Sequence, residues 1–274
     1  MALSLDFTDR VVLVCGVARG GIGGSTARNL AHAGATVVGV DKAQELVDAT
    51  RADIEGAGGR FHGIVADLMD PAQTDPLIDT IVKQFGRLDG VANVAGGTRA
   101  DEWQPLESTS LESYRATLNI NLEYVFRICR DAARSMIERE APGAIVNVTS
   151  VSALTSAPLH GPYGAAKSGI AALTRTMAFE WAKYGIRANS VAPGAVPTER
   201  VMTRPRTEMP DGPPAGPSDV VVTTPDELSY GIIFLLSDLA SGISGQNLVV
   251  DSGLSTRFCA GMRRMDAKKA QMGV

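Results

Sequence analysis

Cysteine is scarce in this sequence, and the features that mark secreted, membrane-spanning or nucleic-acid-binding proteins are missing. The 274 residues include only Cys15, Cys129 and Cys259, an odd number without metal-ligand spacing, which predicts reduced thiols, no metal site and a cytoplasmic location. No apolar run approaches the length of a membrane span, and the N-terminal MALSLDFTDR lacks the basic and apolar regions of a signal peptide. The net charge of −4 gives no reason to expect nucleic acid as a partner.

The composition is that of an ordinary globular protein with a sizeable core. Hydrophobic residues make up 45% of the chain and charged residues 20%, which argues against disorder. Strand-like segments at 11–15, 35–41, 59–68, 88–97, 144–150, 186–194 and 247–253 alternate with helix-like segments at 25–34, 42–57, 71–85, 111–140, 161–184 and 224–238. Repeated units of this length predict an α/β fold, with a parallel sheet covered by helices on both faces.

A glycine-rich turn joins the first strand to the first helix. Residues 16–24 read GVARGGIGG, and the next strand ends at Asp41. A turn of this kind is where a dinucleotide pyrophosphate binds, held by backbone N–H groups at a helix N-terminus, because side chains there would block its approach. The alternative is a plain tight turn between strand and helix.

Polar residues follow other strands or interrupt apolar patterns. Asp67 and Asn93 fall at the carboxyl ends of strands, where ligands lie in open α/β sheets, although each could equally be a capping or turn residue. Asn121 stands inside an otherwise apolar helical pattern. It is either a satisfied core amide or a residue that bends the helix and frees a carbonyl group for water.

The segment 150–167, SVSALTSAPLHGPYGAAK, carries the candidate reaction centre. Tyr163 and Lys167 are four residues apart and so share one face of a helix, and Ser150 ends a buried strand thirteen residues before Tyr163. The trio suits proton transfer at a carbonyl or alcohol oxygen: serine donates a hydrogen bond, tyrosine moves the proton, and the lysine cation lowers the tyrosine pKa. The alternative is a helix with a surface lysine and a half-buried tyrosine.

Two segments do not fit the alternation. Residues 198–223 are rich in proline and glycine and follow a strand's carboxyl end, which predicts a substrate lid at about 199–223. Residues 254–274 are basic and weakly patterned, which predicts a C-terminal tail after one catalytic domain at 1–253.

With these residues assembled, the chain resembles the short-chain dehydrogenase/reductase family over about residues 5–253. The shared motifs include the glycine turn, ADL at 66–68, NVAG at 93–96, Asn121, Ser150, the Tyr163–Lys167 pair and the closing SGQNLVVDSG. The resemblance implies a single-domain, doubly wound Rossmann-type fold, a nicotinamide cofactor and a catalytic set of Asn121, Ser150, Tyr163 and Lys167. In that set Tyr163 is the acid/base, Ser150 polarises the substrate oxygen, Lys167 also holds the nicotinamide ribose, and the Asn121 carbonyl anchors a water in the proton path.

The resemblance also implies which residues contact the cofactor. Gly16, Gly21, Ile22 and Gly23 would surround the pyrophosphate, Asp67 would meet the adenine with Asn93 beside it, and Thr198 would reach the carboxamide. The remaining expected contacts are Arg19, Asp41, Leu68, Ala95, Gly96, Tyr163, Lys167, Pro193, Gly194 and Val196.

Three departures from the family pattern stand out. Cys15 replaces a threonine, and one extra residue lengthens the glycine turn and shifts the spacing of its phosphate contacts by one position. Val94 replaces the second asparagine of the usual NNAG, which removes a polar side chain that would link neighbouring strands. The chain also continues about twenty residues beyond the family's usual end.

These features predict an NAD-dependent oxidoreductase that interconverts a small-molecule secondary alcohol and ketone. NAD is expected over NADP because Asp41 can accept hydrogen bonds from the adenosine ribose, although Arg19 and Lys42 could partly neutralise a phosphate there. The alternatives are a β-ketoacyl reductase acting on carrier-bound or CoA-bound groups with NADPH, for which Arg204 and Arg206 could supply a docking charge, and a non-catalytic dinucleotide sensor.

Assembly is also predicted. The helical segments at 111–140 and 161–184 carry apolar residues on more faces than one sheet contact needs, including Leu173, Met177, Phe179 and Trp181. Together with the family resemblance, this predicts a homotetramer, with a dimer as the alternative.

Overall fold

A single sheet of parallel strands organises the part of the chain that the structure, a computed structural model, describes: residues 5–98, 103–198 and 222–256. Its strands are β1 (Val11–Cys15), β2 (Thr36–Asp41), β3 (Arg60–Val65), β4 (Gly90–Asn93), β5 (Gly143–Val148), β6 (Ile186–Pro193) and β7 (Asn247–Val250). Their order across the sheet is β3-β2-β1-β4-β5-β6-β7, and each neighbouring pair is parallel. The predicted doubly wound α/β fold is confirmed.

Helices connect the strands on both faces. They are α1 (Ile22–His32), α2 (Gln44–Gly56), α3 (Pro71–Thr74), α4 (Leu77–Phe85), α5 (Leu111–Leu118), α6 (Tyr124–Glu138), α7 (Gly161–Trp181) and α8 (Pro225–Leu236). The chain builds β1–β3 outward to one side and β4–β7 outward to the other, so the topology switches between β1 and β4. In such sheets a ligand lies at the carboxyl ends of the strands at this switch point.

Strand β1 shows why the core has two halves. Val11, Leu13 and Cys15 pack into a cluster with α4, α6 and α7 on one face, whereas Val12 and Val14 pack with α1, α2 and α8 on the other. Successive side chains of a strand point to opposite faces, so a strand buried on both must be apolar throughout. The uninterrupted VVLVC run is therefore what this central position requires.

Two predicted helices are broken. The segment 71–85 divides into α3 and α4 because Pro76 lacks the N–H that would continue the helix. The segment 111–140 is interrupted by a π-helical turn, Asn119–Glu123, which contains Asn121. The predicted start of α8 is confirmed: Thr224 caps it in a reciprocal capping box with Glu227, and Pro225 begins the helix.

Most of the apolar residues expected to mediate assembly pack against the core of the same chain. Met177 is buried in the core, and Leu173 and Trp181 pack against it. Phe179, by contrast, is 88% exposed on α7. Of the four apolar residues that suggested assembly, Phe179 is thus the one that presents a large surface to solvent.

Several sequence predictions fall outside the described residues. The predicted lid lies there apart from Val222 and Thr223, as do Arg204, Arg206, Cys259 and the tail beyond Thr256. Cys15 and Cys129 are buried free thiols, and the cytoplasmic location remains a prediction. Within the described ranges, no helix is long and apolar enough to cross a membrane.

Close approach of two backbone segments fixes where α1 begins. A Cβ on Gly23 would lie 1.7 Å from the carbonyl oxygen of Gly16, so the first turn of α1 touches the end of β1. Gly16 has φ +86°, and a Cβ there would lie 2.8 Å from the backbone of Ala95. Glycine at both positions lets the turn, α1 and the segment after β4 meet.

We expect Gly23→Ala to destabilise the fold by about 1–3 kcal/mol, since the added methyl group must displace backbone. Gly56→Ala is the matched control: its Cβ meets nothing within 4 Å at the end of α2, so it should stabilise by about 0.5–1 kcal/mol. Urea unfolding measures both. Equal effects of the two substitutions would contradict this account of Gly23.

Candidate active site

A cavity of about 480 Å³ opens at the carboxyl ends of β1, β2 and β4. It is lined by eleven of the residues predicted to contact a cofactor: Gly16, Arg19, Gly21, Ile22, Gly23, Asp41, Asp67, Leu68, Ala95, Gly96 and Thr198. The cavity thus occupies the switch point of the sheet, beside the glycine turn, as the sequence pattern predicts.

The lengthened glycine turn accommodates its extra residue before the helix starts. Gly20 takes the left-handed conformation with φ +72°, and the Gly21 N–H donates to the carbonyl of Ala18 at 3.1 Å. Gly21 then occupies the N-cap position of α1, without any side-chain cap. The first N–H groups of a helix have no intrahelical partner, so this uncapped end, bordering the cavity, suits a phosphate.

Asp41 stands at the end of β2 beside the same cavity. One carboxylate oxygen accepts a hydrogen bond from the Val17 N–H at 3.1 Å, and the other accepts from the Lys42 N–H at 2.9 Å. Arg19, which also lines the cavity, pairs with Asp53 at 3.1 Å. The carboxylate is therefore held in place, and Arg19, one of the two basic residues expected near it, already has an acidic partner.

The Asn93 side chain faces the protein core, and the expected place of Asn93 beside the adenine stays a prediction. Asn93 is 1% exposed, and its amide group donates to Asn147 Oδ1 at 2.8 Å and contacts Cys129 Sγ at 3.3 Å. Asn93 and Asn147 are register partners on β4 and β5, so their amides join the two strands inside the core. Asn93 therefore still links the two strands by a side-chain hydrogen bond, although Val94 has no polar side chain that could do so.

Three predicted cofactor residues, Pro193, Gly194 and Val196, do not line this cavity, and their contacts stay predictions. Pro193 ends β6, a Cβ on Gly194 would lie 2.8 Å from Asp251 Cβ, and Val196 packs on the core. The sequence had, conversely, given no sign that Leu46, Met69, Ile120 and Tyr124 line the cavity, because apolar helix and loop residues carry no distinguishing motif.

Asn121 matches the first of the two alternatives that the sequence left open, a satisfied core amide. It is fully buried in the π-helical turn, and its side chain accepts from the Gly97 N–H at 2.8 Å and donates to the carbonyls of Gly97 and Thr117 at 3.0 Å. All the hydrogen-bonding groups of the amide are thus satisfied. Its N–H also bonds the Thr117 carbonyl oxygen, inside the helical segment. Its role in a proton path remains a prediction.

Ser150, Tyr163 and Lys167 come together at the ends of β5 and α7. The Ser152 N–H donates to Ser150 Oγ at 3.1 Å, and the Ser150 side chain lies close enough to the Tyr163 hydroxyl to lower its pKa against the effect of burial. Lys167 Nζ lies 5.6 Å from the centre of the Tyr163 ring and donates to the carbonyl of Val148 at 2.9 Å. The predicted juxtaposition of the three side chains is present, and Lys167 is not a surface residue.

This cluster adjoins the cavity through Gly96. A Cβ on Gly96 would lie 2.6 Å from Asn121 Oδ1 and 3.3 Å from Lys167 Nζ, and Gly96 itself lines the cavity. Glycine at this position therefore leaves Asn121 and Lys167 uncovered by a side chain. Asn121 and Lys167 therefore lie directly behind the cavity wall at Gly96, and Tyr163 lies beyond Lys167.

The expected lowering of the tyrosine pKa is not what the structure shows. Burial raises the pKa of Tyr163, and the hydrogen bond from Ser150 only partly opposes this. Burial also lowers the pKa of Lys167 to about 7, so its charge is weakened at neutral pH. Desolvation penalises both charged forms, and the expectation had counted only the attraction between them.

Three further side chains, outside the expected catalytic set, lie near Tyr163. His160 lies 5.9 Å from the Tyr163 ring, Trp103 lies 4.6 Å from the His160 ring, and Ser152 Oγ lies 3.3 Å from His160 Nε2. His160 immediately precedes α7, so its place before Tyr163 in the sequence was the available signal.

Comparison with known proteins agrees with this geometry. A family model described as enoyl-(acyl carrier protein) reductase matches residues 16–255. D-threitol dehydrogenase from Mycolicibacterium smegmatis is 34% identical over 264 residues, covering 93% of this chain and 98% of that one. The 3-oxoacyl-(acyl-carrier-protein) reductase of Thermotoga maritima is 34% identical over 248 residues, covering 89% and 97%.

A crystal structure of a short-chain dehydrogenase/reductase from Burkholderia xenovorans superposes with a TM-score of 0.83 at 28% identity, covering 92% of this chain and 98% of that one. The chain belongs to the short-chain dehydrogenase/reductase family. Membership implies a nicotinamide dinucleotide cofactor. The uncapped end of α1 and the paired glycines 16 and 23 fit its pyrophosphate.

Lys167→Met should remove a pH-dependent contribution to stability. The lysine pKa falls from its ordinary 10.5 to about 7 on folding, so between these values the unfolded chain binds more protons and wild-type stability rises with pH. The rise is at most about 1.4 kcal/mol per pH unit, and below pH 7 the contribution is constant.

Urea unfolding at pH 7 and pH 9 tests this. The free energy of unfolding of the wild type minus that of Lys167→Met should grow with pH. The same difference for the exposed Lys183→Met should stay flat. A Lys167 difference that is constant, or that shrinks as the pH rises, would contradict the buried, weakly charged lysine.

Proposed function

We propose that this protein is an oxidoreductase that interconverts a secondary alcohol and a ketone with NAD(H). The supporting observation is the contact of the Ser150–Tyr163–Lys167 cluster with the glycine-lined cavity at Gly96. A bound nicotinamide would supply or take up the hydride. The chain itself must orient the substrate oxygen and move one proton.

Ser150 would hold the substrate oxygen. Its Oγ accepts the Ser152 N–H, and its own O–H, which interacts with Tyr163 in this structure, would turn to the substrate oxygen. The Tyr163 hydroxyl, next to Ser150 and next to the reacting oxygen, would give up the proton in ketone reduction and take it in alcohol oxidation.

Lys167 and Tyr163 would act as a coupled pair. Burial makes a phenolate alone and an ammonium alone unfavourable, so each charged form stabilises the other when both are present. The ammonium is already oriented by the Val148 carbonyl, and Asn121 would lead the proton path onward. The nicotinamide ribose is the proposed second partner of Lys167.

A β-ketoacyl reductase that uses NADPH is the second candidate. It is supported by the 34% identity to the Thermotoga maritima enzyme, which equals the identity to D-threitol dehydrogenase. The basic residues that could dock a carrier, Arg204 and Arg206, lie outside the described residues. Cofactor preference is therefore the distinguishing property.

Tyr163→Phe should lower kcat by about 10²–10⁴-fold while cofactor affinity is retained, because it removes the hydroxyl and keeps the ring. The assay follows reduced nicotinamide during oxidation of secondary alcohols, with calorimetry for NAD binding. Tyr184→Phe, an exposed tyrosine after α7, is the control and should leave kcat unchanged. Near-full kcat in Tyr163→Phe would refute the assignment.

We expect wild-type kcat/KM to favour NAD over NADP by about 30- to 1000-fold. The NADP phosphate would meet the Asp41 carboxylate, and at 4 Å a like-charge pair costs on the order of 4 kcal/mol before screening. Asp41→Ser should erode the preference chiefly by raising the NADP value. Asp48→Ser, an exposed carboxylate on α2 outside the cavity lining, is the charge-matched control.

Comparable wild-type values for the two cofactors would instead favour the β-ketoacyl reductase. An unchanged ratio in Asp41→Ser would show that another group selects the cofactor.

We also infer a homotetramer, supported by the 88% exposure of Phe179 on α7. Burying such a ring against another copy is favourable by about 2 kcal/mol. Light scattering at micromolar concentration should give the mass of four 28.7 kDa chains, and Phe179→Glu should lower it, whereas Phe179→Leu should not. A monomeric wild type would contradict the inference.

A further inference from the structure

One face of α6 holds two walls of the cavity at the carboxyl ends of the strands. The Tyr124 hydroxyl donates to the carbonyl of Ala95 at 2.6 Å, in the segment after β4. Three residues later, Arg127 Nη2 donates to the carbonyl of Leu68 at 3.0 Å, in the segment after β3. Tyr124, Ala95 and Leu68 all line the cavity, and residues three apart share a helix face. The helix therefore ties the ends of two strands together beside the cavity.

Arg127 is buried without a carboxylate partner. The residue is 7% exposed, and its Nε and Nη1 atoms are buried and have no hydrogen-bond partner among the described residues. Two other arginines of α6, Arg130 and Arg134, lie within ion-pair distance of Asp131. A buried charge without a counter-charge costs free energy, which one backbone acceptor offsets only in part. Packing alone therefore does not explain an arginine at this position.

The carbonyl that Arg127 holds belongs to the turn after β3. Three residues of this turn, Asp67, Leu68 and Met69, line the cavity. Asp67 Oδ1 accepts the Met69 N–H at 2.9 Å, and Gln73 Oε1 accepts the Asp67 N–H at 3.0 Å. Gln73 is exposed, whereas Arg127 reaches the turn from the core. Arg127 is therefore the buried tether that sets where this wall of the cavity lies.

We propose that Arg127 is a positioning residue for the adenine end of the cofactor, which it serves by holding the turn that carries Asp67. This rests on the proposed function, in which Asp67 meets the adenine. Arg127 acts through the Leu68 carbonyl, on the far side of the cavity from the reacting groups. Its loss weakens binding of the adenosine half and leaves the nicotinamide end, at Gly96 and Lys167, in place.

Calorimetry with ADP-ribose tests this, because that ligand carries the adenine, both riboses and both phosphates but no nicotinamide. Arg127→Met keeps an extended apolar side chain and removes the donors. We expect the Kd for ADP-ribose to rise about tenfold, the effect of losing one hydrogen bond from a charged donor. The KM for NAD should rise by a similar factor, while kcat at saturating NAD stays within about twofold of the wild type.

Arg139→Met is the matched control. Arg139 follows α6, and its Nη2 donates to the carbonyl of Leu88 at 3.1 Å, just before β4 and so at the opposite end of that strand from the cavity. The control removes the same kind of bond and should leave the Kd for ADP-ribose and kcat unchanged. Arg127→Lys keeps the charge on a shorter side chain without the guanidinium fork, and should raise the Kd about threefold.

The outcomes separate the two proposals. Wild-type Kd for ADP-ribose in folded Arg127→Met overturns this inference, as does an equal rise in Arg139→Met or a fall in kcat as large as the rise in KM. Where Arg127→Met does not fold, Arg127→Lys decides, and an unchanged Kd there overturns the inference. A wild type that turns over no secondary alcohol or ketone overturns the proposed function, while the ADP-ribose titrations still decide the role of Arg127.

Discussion

The hydrogen bond from Lys167 to the carbonyl of Val148 is the interaction on which the candidate site depends. It joins the first turns of α7 to the end of β5, and Lys167 is only 2% exposed. An amine removed from water costs free energy, and a single backbone acceptor offsets part of that cost. The same bond sets the position of Tyr163, one turn earlier, against Ser150, two residues beyond Val148.

The glycines explain how a cofactor cavity and this cluster come to share a wall. Gly16 and Gly23 allow β1 and α1 to meet, and Gly96 leaves no side chain between the cavity and the groups behind it. A methyl group at any of the three would meet backbone, an amide oxygen or an amine within 3.3 Å. The geometry of the site therefore depends on these three glycines as well as on the reactive side chains.

Much of this could be predicted from the sequence, because the governing signals are local. The apolar VVLVC run, the glycine turn and the Thr224 capping box each specify structure over a few residues, and the parallel sheet follows from their repetition. The Tyr163–Lys167 spacing likewise fixes a shared helix face. These features could be predicted because residues close together in the sequence determine them.

The remainder depends on tertiary packing. Whether Asn93 faces a ligand or Asn147 depends on which strand lies beside β4, and the satisfied amide of Asn121 depends on the position of Gly97. The raised pKa of Tyr163 results from burial, which motif spacing does not report. His160 belongs to no recognisable motif, and its position near Tyr163 is apparent only from its ring contacts with Trp103 and Tyr163.

The most direct test of the central claim follows the hydride itself. A secondary alcohol that the protein oxidises is deuterated at the carbinol carbon and incubated with NAD, and the reduced nicotinamide is analysed by mass spectrometry. The account predicts one deuterium in each reduced nicotinamide formed. Reduced nicotinamide without deuterium, or ketone formed without nicotinamide reduction, would contradict it.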